Sequence, residues 1–231
     1  MIHKVSSRRK AAFQRQLLRW YGANRRRFSW RKPGRTSYQI LVAEVMLRKT
    51  DARKVALVYE GFLTRYPSPV SLARAPERDL RREFRSLGIT DRGRLMKELG
   101  NKIVTDFNGR MPANADALSR LPGVGRYTAN AILCFGLRRD VPLLDTNVIR
   151  VLGRVFSACS DRPRARDDLA FWEFAAYLVP RGKSVTYNRA ILDLGALVCT
   201  ARKPKCPACP LSGICDVSTR AVRKRSVHAN T

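Results

Sequence analysis

Four cysteines near the C-terminus are the residues whose type and spacing point most directly to chemistry. They follow the pattern C-x6-C-x2-C-x5-C and are Cys199, Cys206, Cys209 and Cys215. Iron–sulfur clusters are held by four thiolates from short, loop-forming segments. Structural zinc usually uses two paired knuckles about 12–20 residues apart, whereas only Cys206 and Cys209 form such a pair here. The spacing therefore favours a [4Fe–4S] cluster, with zinc as the main alternative and a disulfide pair behind it.

A string with two glycines has the features of a phosphate-binding turn. It reads Leu121, Pro122, Gly123, Val124, Gly125, Arg126, Tyr127, Thr128, Ala129. The glycines allow a tight hairpin with backbone N–H groups at the start of the next helix, where the helix dipole also favours an anion. Such a site binds the sugar–phosphate backbone without reading bases. An ordinary helix–turn–helix corner is the alternative for P-G-x-G alone, but the full string favours the anion site.

Two carboxylates stand beside apolar runs. Asp145 precedes one, which is typical of a helix N-cap, and a carboxylate held there can stabilise a cation. Glu44 lies within the apolar run from Ile40 to Leu47, either on the polar face of a helix or in a pocket. Its neighbours three and four residues away leave little polar face, which favours the pocket. A carboxyl group in such a pocket favours its protonated form and can donate a proton.

The charge of the chain indicates a polyanionic partner. Its 231 residues contain 46 Lys and Arg against 18 Asp and Glu, a net charge of +28. Basic surfaces of this kind attract polyphosphates, and the affinity falls with salt. A ribosome-associated or merely basic protein is the alternative. The only histidines, His3 and His228, lie near the termini, so an acid or base must be a carboxylate, lysine or tyrosine.

The remaining composition favours a cytoplasmic protein that does not enter a membrane. No apolar run is long enough to span a bilayer, and the N-terminus lacks the apolar core of a signal peptide. Cys134 and Cys159 lie in apolar stretches and are expected to be buried hydrophobic residues. These observations predict a reducing, intracellular compartment.

Helical spacing of apolar residues predicts an all-α protein. Short segments with proline or glycine, at 67–69, 122–125 and 180–182, separate the helices. The ten predicted helices are Arg8–Tyr21, Tyr38–Leu47, Ala52–Tyr66, Glu77–Leu87, Arg92–Asn108, Ala113–Arg120, Tyr127–Leu137, Asn147–Phe156, Asp167–Leu178 and Val185–Val198.

The hairpin string, the Asp145 segment and the cysteine spacing together resemble the helix–hairpin–helix DNA glycosylases that carry a C-terminal [4Fe–4S] cluster. The likeness runs from about Trp30 to Cys215. It implies two helical lobes with double-stranded DNA in the cleft between them. A six-helix barrel with the helix–hairpin–helix would comprise residues 35–138, and the cluster lobe would combine 1–34 with 139–231.

The resemblance also implies roles for individual residues. Asp145 would stabilise the oxocarbenium-like sugar after the base has been extruded from the duplex. Arg48 would enter the space left by the base and Ile89 would act as a second wedge, although the first could be a phosphate contact and the second plain core. The further DNA contacts implied are Lys49, the hairpin residues Leu121, Gly123, Val124, Gly125, Arg126 and Thr128, and, in the loop between the first two cluster ligands, Arg202, Lys203 and Lys205.

Tyr127 decides between branches of this family. In the endonuclease III branch this position is a lysine, whose amine forms a Schiff base and cuts the strand; Tyr127 cannot do so. The expected protein is a monomeric, monofunctional glycosylase that removes thymine or uracil from a mismatch with guanine and begins base-excision repair in the nucleoid. A lyase using Lys49 instead is a minor option.

Two other functions stay open. Glu44 also resembles the adenine branch, where this residue protonates the leaving purine. Three features argue against adenine glycosylase activity. Adenine glycosylases have two glutamines where this chain has Arg48-Lys49, and glycine where it has Thr146. The 16 residues that follow Cys215 are also too few for a further domain. A non-catalytic iron–sulfur DNA-binding protein is the alternative from another class, and the presence of Asp145 argues against it.

Overall fold

Helices make up all of the regular structure that is described. The computed structural model describes residues 5–88 and 91–219, and no strand occurs in these ranges, which confirms the all-α prediction. The chain divides into two compact units. The discontinuous unit comprises Met1–Arg26 and Asp140–Thr231, and the continuous unit comprises Arg27–Arg139. Within the described ranges, no helix is long and apolar enough to cross a membrane.

The continuous unit is built around a nearly buried helix, α2, which runs from Ser37 to Leu47. A capping box between Thr36 and Gln39 starts this helix, and eight of its residues are buried, so it forms the centre of the core. A π-helical segment, Ile132–Gly136, extends the last helix of the unit. The helices are α2 Ser37–Leu47, α3 Ala52–Arg65, α4 Pro69–Arg74, α5 Glu77–Arg85, α6 Asp91–Phe107, α7 Ala115–Ser119 and α8 Arg126–Ala131.

Helix α4 was not predicted; the chain does break after α3, as expected near 67–69, but Pro69 already belongs to this further helix. Pro69 occupies the first turn of α4, and the side chains of Ser68 and Ser71 form a capping box. Proline is tolerated there because the first amides of a helix have no intrahelical acceptor. The Lys97 ammonium then donates to the carbonyl oxygens of Ala73 and Ala75 at the other end of α4.

The discontinuous unit packs its N-terminal helix against helices from the end of the chain. Its helices are α1 Ser7–Asn24, α9 Thr146–Phe156, α10 Leu169–Leu178 and α11 Ser184–Leu197. The ring centroid of Phe13 in α1 lies 5.0 Å from that of Phe156 and 6.2 Å from that of Tyr187, both edge-on. Such aromatic pairs stabilise the core beyond the area they bury.

Helix α11 holds the two segments at which the chain leaves and re-enters this unit. The fully buried Asp193 carboxylate accepts hydrogen bonds from the backbone N of Arg26 at 3.0 Å and from its Nε at 2.6 Å. The fully buried Asn188 donates to the carbonyl of Val141 and accepts from the N–H of Leu143, each at 2.9 Å. These contacts fix the backbone on both sides of the continuous unit.

The two cysteines outside the cluster motif differ in burial. Cys134 is buried, as predicted, but Cys159 is exposed, so that part of the prediction is wrong. Ser157 ends α9 in a left-handed conformation with φ of 52°. Ala158, which follows this turn, is still buried at 5% exposure, and the chain reaches the surface only at Cys159.

Candidate active site

The glycine string forms a tight turn between α7 and α8. The N–H of Val124 donates to the carbonyl of Leu121 at 3.0 Å, and Gly123 has φ of 68°. Glycine adopts this left-handed conformation without the penalty of a Cβ atom. Gly125 is the N-cap of α8 and supplies no side-chain cap. The turn therefore has the form expected of a phosphate-binding hairpin.

The turn exposes some of the predicted contact residues and buries others. Tyr127, the second residue of α8, is half-buried. The side chains that are buried point into the continuous unit, so their contacts to a phosphate would come from the backbone. The exposed residues are Gly123, Gly125 and Arg126, and the buried ones are Leu121, Val124 and Thr128.

Arg48, just after α2, is hydrogen-bonded to the hairpin. Its Nη2 donates to the carbonyl of Gly123, and lies 3.5 Å from the Thr128 hydroxyl. Burial lowers the pKa of the Arg48 guanidinium, and the negative charge of the half-buried Glu44 opposes this shift. Lys49 follows in a left-handed conformation with φ of 51° and is exposed. The structure thus brings Glu44, Arg48 and the hairpin together.

Arg92 supports this segment and was not predicted as a functional residue. It is 5% exposed, and its Nη1 donates to the Met46 carbonyl and to the Thr50 hydroxyl, each at 2.8 Å. Burial lowers the pKa of its guanidinium, and the nearby charge of Arg48 lowers it further. Its Nη2 is buried without a hydrogen-bond partner among the described residues. Arg92 therefore fixes the turn that presents Arg48 and Lys49.

Asp145 belongs to the discontinuous unit and is the N-cap of α9, as predicted. Its Oδ1 accepts from the backbone N of Val148 at 2.7 Å, and its Oδ2 accepts from Nδ2 of Asn147 at 2.9 Å. The side chain is half-buried, and Thr146 beside it is exposed. Both carboxylate oxygens therefore have a fixed donor, while part of the group stays accessible to a ligand.

A chain of hydrogen bonds connects Asp145 to the first cysteine of the motif. Arg150 donates from Nη2 to Oδ1 of Asn147 at 2.8 Å and to the Gly195 carbonyl at 2.7 Å, and from Nε to the Cys199 carbonyl at 2.8 Å. A Cβ atom on Gly195 would lie 2.8 Å from Cβ of Asn147, so glycine permits α11 to approach this closely. One arginine thus orients the amide that binds the carboxylate.

The four cysteines of the motif line one cavity of about 140 Å³. Most of the other side chains around it are aliphatic, among them Val151, Leu194, Val198 and Leu211. Arg154, one turn after Arg150, donates to the carbonyls of Thr200 and Ala201 at 2.7 and 2.8 Å, and its Nη1 lies 3.5 Å from Sγ of Cys199. Arg154 therefore shapes the loop that leaves the first ligand.

This cavity fits a multi-iron cluster better than a single ion. In residues 5–88 and 91–219 no three Cys, His, Asp or Glu side chains converge on one metal position, whereas four thiols surround the cavity. Burial raises the pKa of the Cys209 thiol to about 11, so bound iron would have to supply the positive charge that keeps it a thiolate. The donor set is the one that [4Fe–4S] clusters use.

The loop between the first two ligands presents basic side chains to solvent. Arg202, Lys203 and Lys205 are all exposed. The Thr200 hydroxyl donates to the Lys203 carbonyl at 2.7 Å, and the N–H of Lys205 donates to the Val198 carbonyl at 2.9 Å. The loop is therefore ordered by its own hydrogen bonds and by Arg154. Ile89, the predicted second wedge, lies outside the described residues.

Comparison with known proteins identifies the family. A helix–hairpin–helix motif matches residues 106–135, and the iron–sulfur binding domain of endonuclease III matches residues 199–215. The chain is 40% identical over 204 residues to a thymine/uracil-DNA glycosylase of Pyrobaculum aerophilum, with 87% of this chain and 88% of the relative covered. The chain belongs to the helix–hairpin–helix DNA glycosylase family. This confirms the predicted family, the enzyme class and the [4Fe–4S] cofactor.

Two further relatives bear on the branch of the glycosylase. This chain is 38% identical over 197 residues to an adenine DNA glycosylase of Mycolicibacterium smegmatis, with 85% of this chain and 67% of the relative covered. It also matches the solved structure of a thermostable thymine-DNA glycosylase with a TM-score of 0.87 and 32% identity, over 92% of this chain and 98% of that one. Thymine/uracil glycosylases and an adenine glycosylase are thus both found among the relatives.

Proposed function

We propose that this glycosylase removes thymine or uracil mispaired with guanine in double-stranded DNA, acts as a monomer, and begins base-excision repair at the nucleoid. The predicted lobes, 1–34 with 139–231 and 35–138, stay part of this proposal. One observation carries the catalytic part of it. The half-buried Asp145 has a fixed donor on each carboxylate oxygen, so it is held as a preorganised negative group, the kind that stabilises a developing cation.

The proposed reaction follows from the chemistry of the N-glycosidic bond. A base inside a duplex is out of reach, and extruding it requires less energy when it is mispaired. As the bond breaks, positive charge develops on the deoxyribose, and Asp145 would stabilise it and orient the attacking water. Glu44 would donate a proton to the departing base. Arg48 would leave its hydrogen bond to the hairpin and occupy the space in the duplex.

Tyr127 supports hydrolysis without strand cleavage. A lyase reaction needs an amine that attacks the sugar and forms a Schiff base, and a phenol at this position on α8 cannot do so. The proposed product is therefore an intact strand with an abasic site. The relatives named thymine/uracil-DNA glycosylase and thymine-DNA glycosylase support the choice of base.

Adenine glycosylase is the second candidate. The observation in its favour is the relative of that name at 38% identity, together with Glu44 in the half-buried position that a proton donor to a purine would require. This candidate predicts release of adenine opposite guanine or 8-oxoguanine, and no release of thymine or uracil.

A mismatch panel tests these candidates. Single-turnover reactions on T·G, U·G, A·G and A·8-oxoguanine duplexes are resolved with and without alkali, which cuts abasic sites. We expect alkali-dependent cleavage of the T·G and U·G duplexes alone. Cleavage of the adenine duplexes alone would favour the second candidate, and alkali-independent cleavage with a borohydride-trapped adduct would show a lyase.

Asp145→Asn is the matched variant for the catalytic role. The amide is isosteric, so duplex affinity should stay within about twofold, while base release should fall by about 10³-fold or more, as for loss of a main electrostatic stabiliser. If wild type and variant bind the duplex equally and release no base from any member of the panel, the protein is a non-catalytic DNA-binding protein.

A further inference from the structure

The outer face of α1 carries a row of arginines. The buried side chains of this helix are Phe13, Leu17 and Tyr21, which define its inner face. At about 100° per residue, Arg8, Arg15 and Arg19 fall within about 40° of one another on the opposite face. All three are exposed. We call Arg8, Arg15 and Arg19 the basic stripe.

No acidic residue compensates the basic stripe. The first acidic residue of the chain is Glu44, and every one of its 18 Asp and Glu residues lies in the described ranges. No described carboxylate pairs with an arginine of the stripe; Arg9, on another side of α1, is the residue that binds Asp216, at 2.6 Å. Exposed positive charge without partners raises the local potential and attracts polyanions.

The dimensions of the stripe suit duplex DNA. At about 1.5 Å rise per residue, Arg8 and Arg15 are about 10.5 Å apart along the helix, and Arg19 is about 6 Å further. A DNA strand carries one phosphate per about 3.4 Å of its axis, so the stripe covers about five base pairs. Ala11 and Gly22, which lie between or beyond the arginines on the same face, leave room for a wide cylinder.

The stripe faces away from the catalytic carboxylate within its own unit. The inner face of α1 packs through Phe13 on Phe156, the last residue of α9, at 5.0 Å between centroids. Asp145 is at the other end of α9, about 16 Å away along a helix of this length. The stripe lies on the far side of α1 from this contact. We therefore do not expect a duplex held at Asp145 to contact the basic stripe as well.

We propose that the basic stripe is a second phosphate-binding surface, which binds a DNA segment separate from the one at Asp145. The surface takes any duplex sequence, because its contacts are to phosphates alone. Its role is to bring a second part of the chromosome to the enzyme, or to hold the enzyme on DNA between lesions. The inference goes beyond the proposed glycosylase reaction and does not depend on which base is released.

A two-duplex capture experiment tests it. A short T·G duplex is immobilised and loaded with the holoprotein, and retention of a second, labelled, undamaged duplex is measured. The test variant carries Arg8→Gln, Arg15→Gln and Arg19→Gln. The control variant loses the same charge from another helix by Arg78→Gln, Arg81→Gln and Arg82→Gln, arginines that pair with acidic side chains.

We expect wild type and control to retain the second duplex and the stripe variant to retain at least tenfold less. Three phosphate contacts predict that wild-type capture weakens about 40-fold between 50 and 200 mM salt. Base release from the short T·G duplex should be the same in all three proteins. If wild type retains the second duplex but releases no base from the T·G duplex, the second binding surface is supported and the proposed reaction is refuted.

Three outcomes overturn the inference. The first is that the stripe variant retains as much of the second duplex as the control variant does. The second is that wild type retains no second duplex while the stripe variant binds one long duplex more weakly than wild type does. That result would place the stripe on the flank of the DNA bound at Asp145. The third is that the stripe variant loses affinity for the immobilised T·G duplex as much as for the second duplex. That result would make the stripe part of the lesion-binding surface.

Discussion

Arg150→Lys separates the orientation of Asp145, the proposed catalytic carboxylate, from the charge that surrounds it. The wild-type guanidinium donates to Asn147, Gly195 and Cys199 at once. An ammonium on a lysine stem keeps the positive charge but cannot reproduce this fork, because arginine presents several donors in one plane. The Asn147 amide then loses the contact that fixes its orientation, and its terminal torsion is broad and two-fold.

The expected losses follow from the number of contacts. Hydrogen bonds to charged groups contribute about 1.5–3 kcal/mol each. We take the low end, because Arg150 is half-buried, and expect lysine to lose two of the three contacts, which costs about 3 kcal/mol of unfolding free energy. Asp145 also loses one of its two fixed donors for part of the time. A tenfold slower release of the base corresponds to about 1.4 kcal/mol at the transition state.

Arg154→Lys is the matched control, because it lies one turn later on α9 and binds the same loop. Its partners are the carbonyls of Thr200 and Ala201, and it makes no contact with Asn147. Both variants should lose stability and iron to a similar degree. The assay is the single-turnover rate of base release at saturating enzyme, divided by the cluster-containing fraction from iron analysis and visible absorption.

The corrected rate decides the outcome. We expect about a tenfold decrease for Arg150→Lys and less than twofold for Arg154→Lys, with equal duplex affinity at matched salt. Equal corrected rates in the two variants would show that the hydrogen bonds from Asp145 to Cys199 hold the fold together without tuning the carboxylate.

Three further predictions concern the scaffold of the site. Gly195→Ala should lower the unfolding free energy by about 1–3 kcal/mol through overpacking, whereas Gly213→Ala, which has open space around it, should change it by under about 0.5 kcal/mol; thermal melts compare them. Asn188→Leu should cost about 2–4 kcal/mol in chemical denaturation, because two backbone groups lose their partner, and a cost below about 1 kcal/mol would contradict their burial. A hydrogen bond from the Gly182 N–H lowers the pKa of the Asp140 carboxyl. The stabilisation that this carboxylate gives the folded protein is therefore present above its unfolded pKa near 4 and lost as pH falls. Asp140→Asn should flatten the dependence of unfolding free energy on pH below about pH 4, and an unchanged slope there would refute this.

Local patterns in the sequence predicted three local structures around the candidate site residues. The cysteine motif, the glycine turn and the N-cap at Asp145 each depend on residues within a few positions of one another, and the structure has the cavity, the hairpin and the cap. Each is set by backbone rules that act over one or two turns. A short stretch of sequence is therefore enough to predict each of these local structures.

The supporting residues could not be predicted in this way. Arg92, Arg150 and Asn188 act on backbone groups more than forty residues away in the chain, and each reads locally as an ordinary polar residue of a helix. Pro69 was ambiguous, since proline both breaks a helix interior and begins a helix. Cys159 follows a helix whose left-handed end at Ser157 has no strong sequence signal. Tertiary partners therefore decided the roles of Arg92, Arg150 and Asn188.

The attachment of α1 to the end of the chain sets the order in which the protein can fold during synthesis. Phe13 finds its ring partners on α9 and α11, which leave the ribosome only after the whole continuous unit. At about 5–20 residues per second, α1 waits many seconds with its apolar face uncovered, while the contiguous helices of residues 27–139 can already fold. A nascent chain arrested before α11 should therefore expose the α1 face to chaperones, and release of the arrest should bury it.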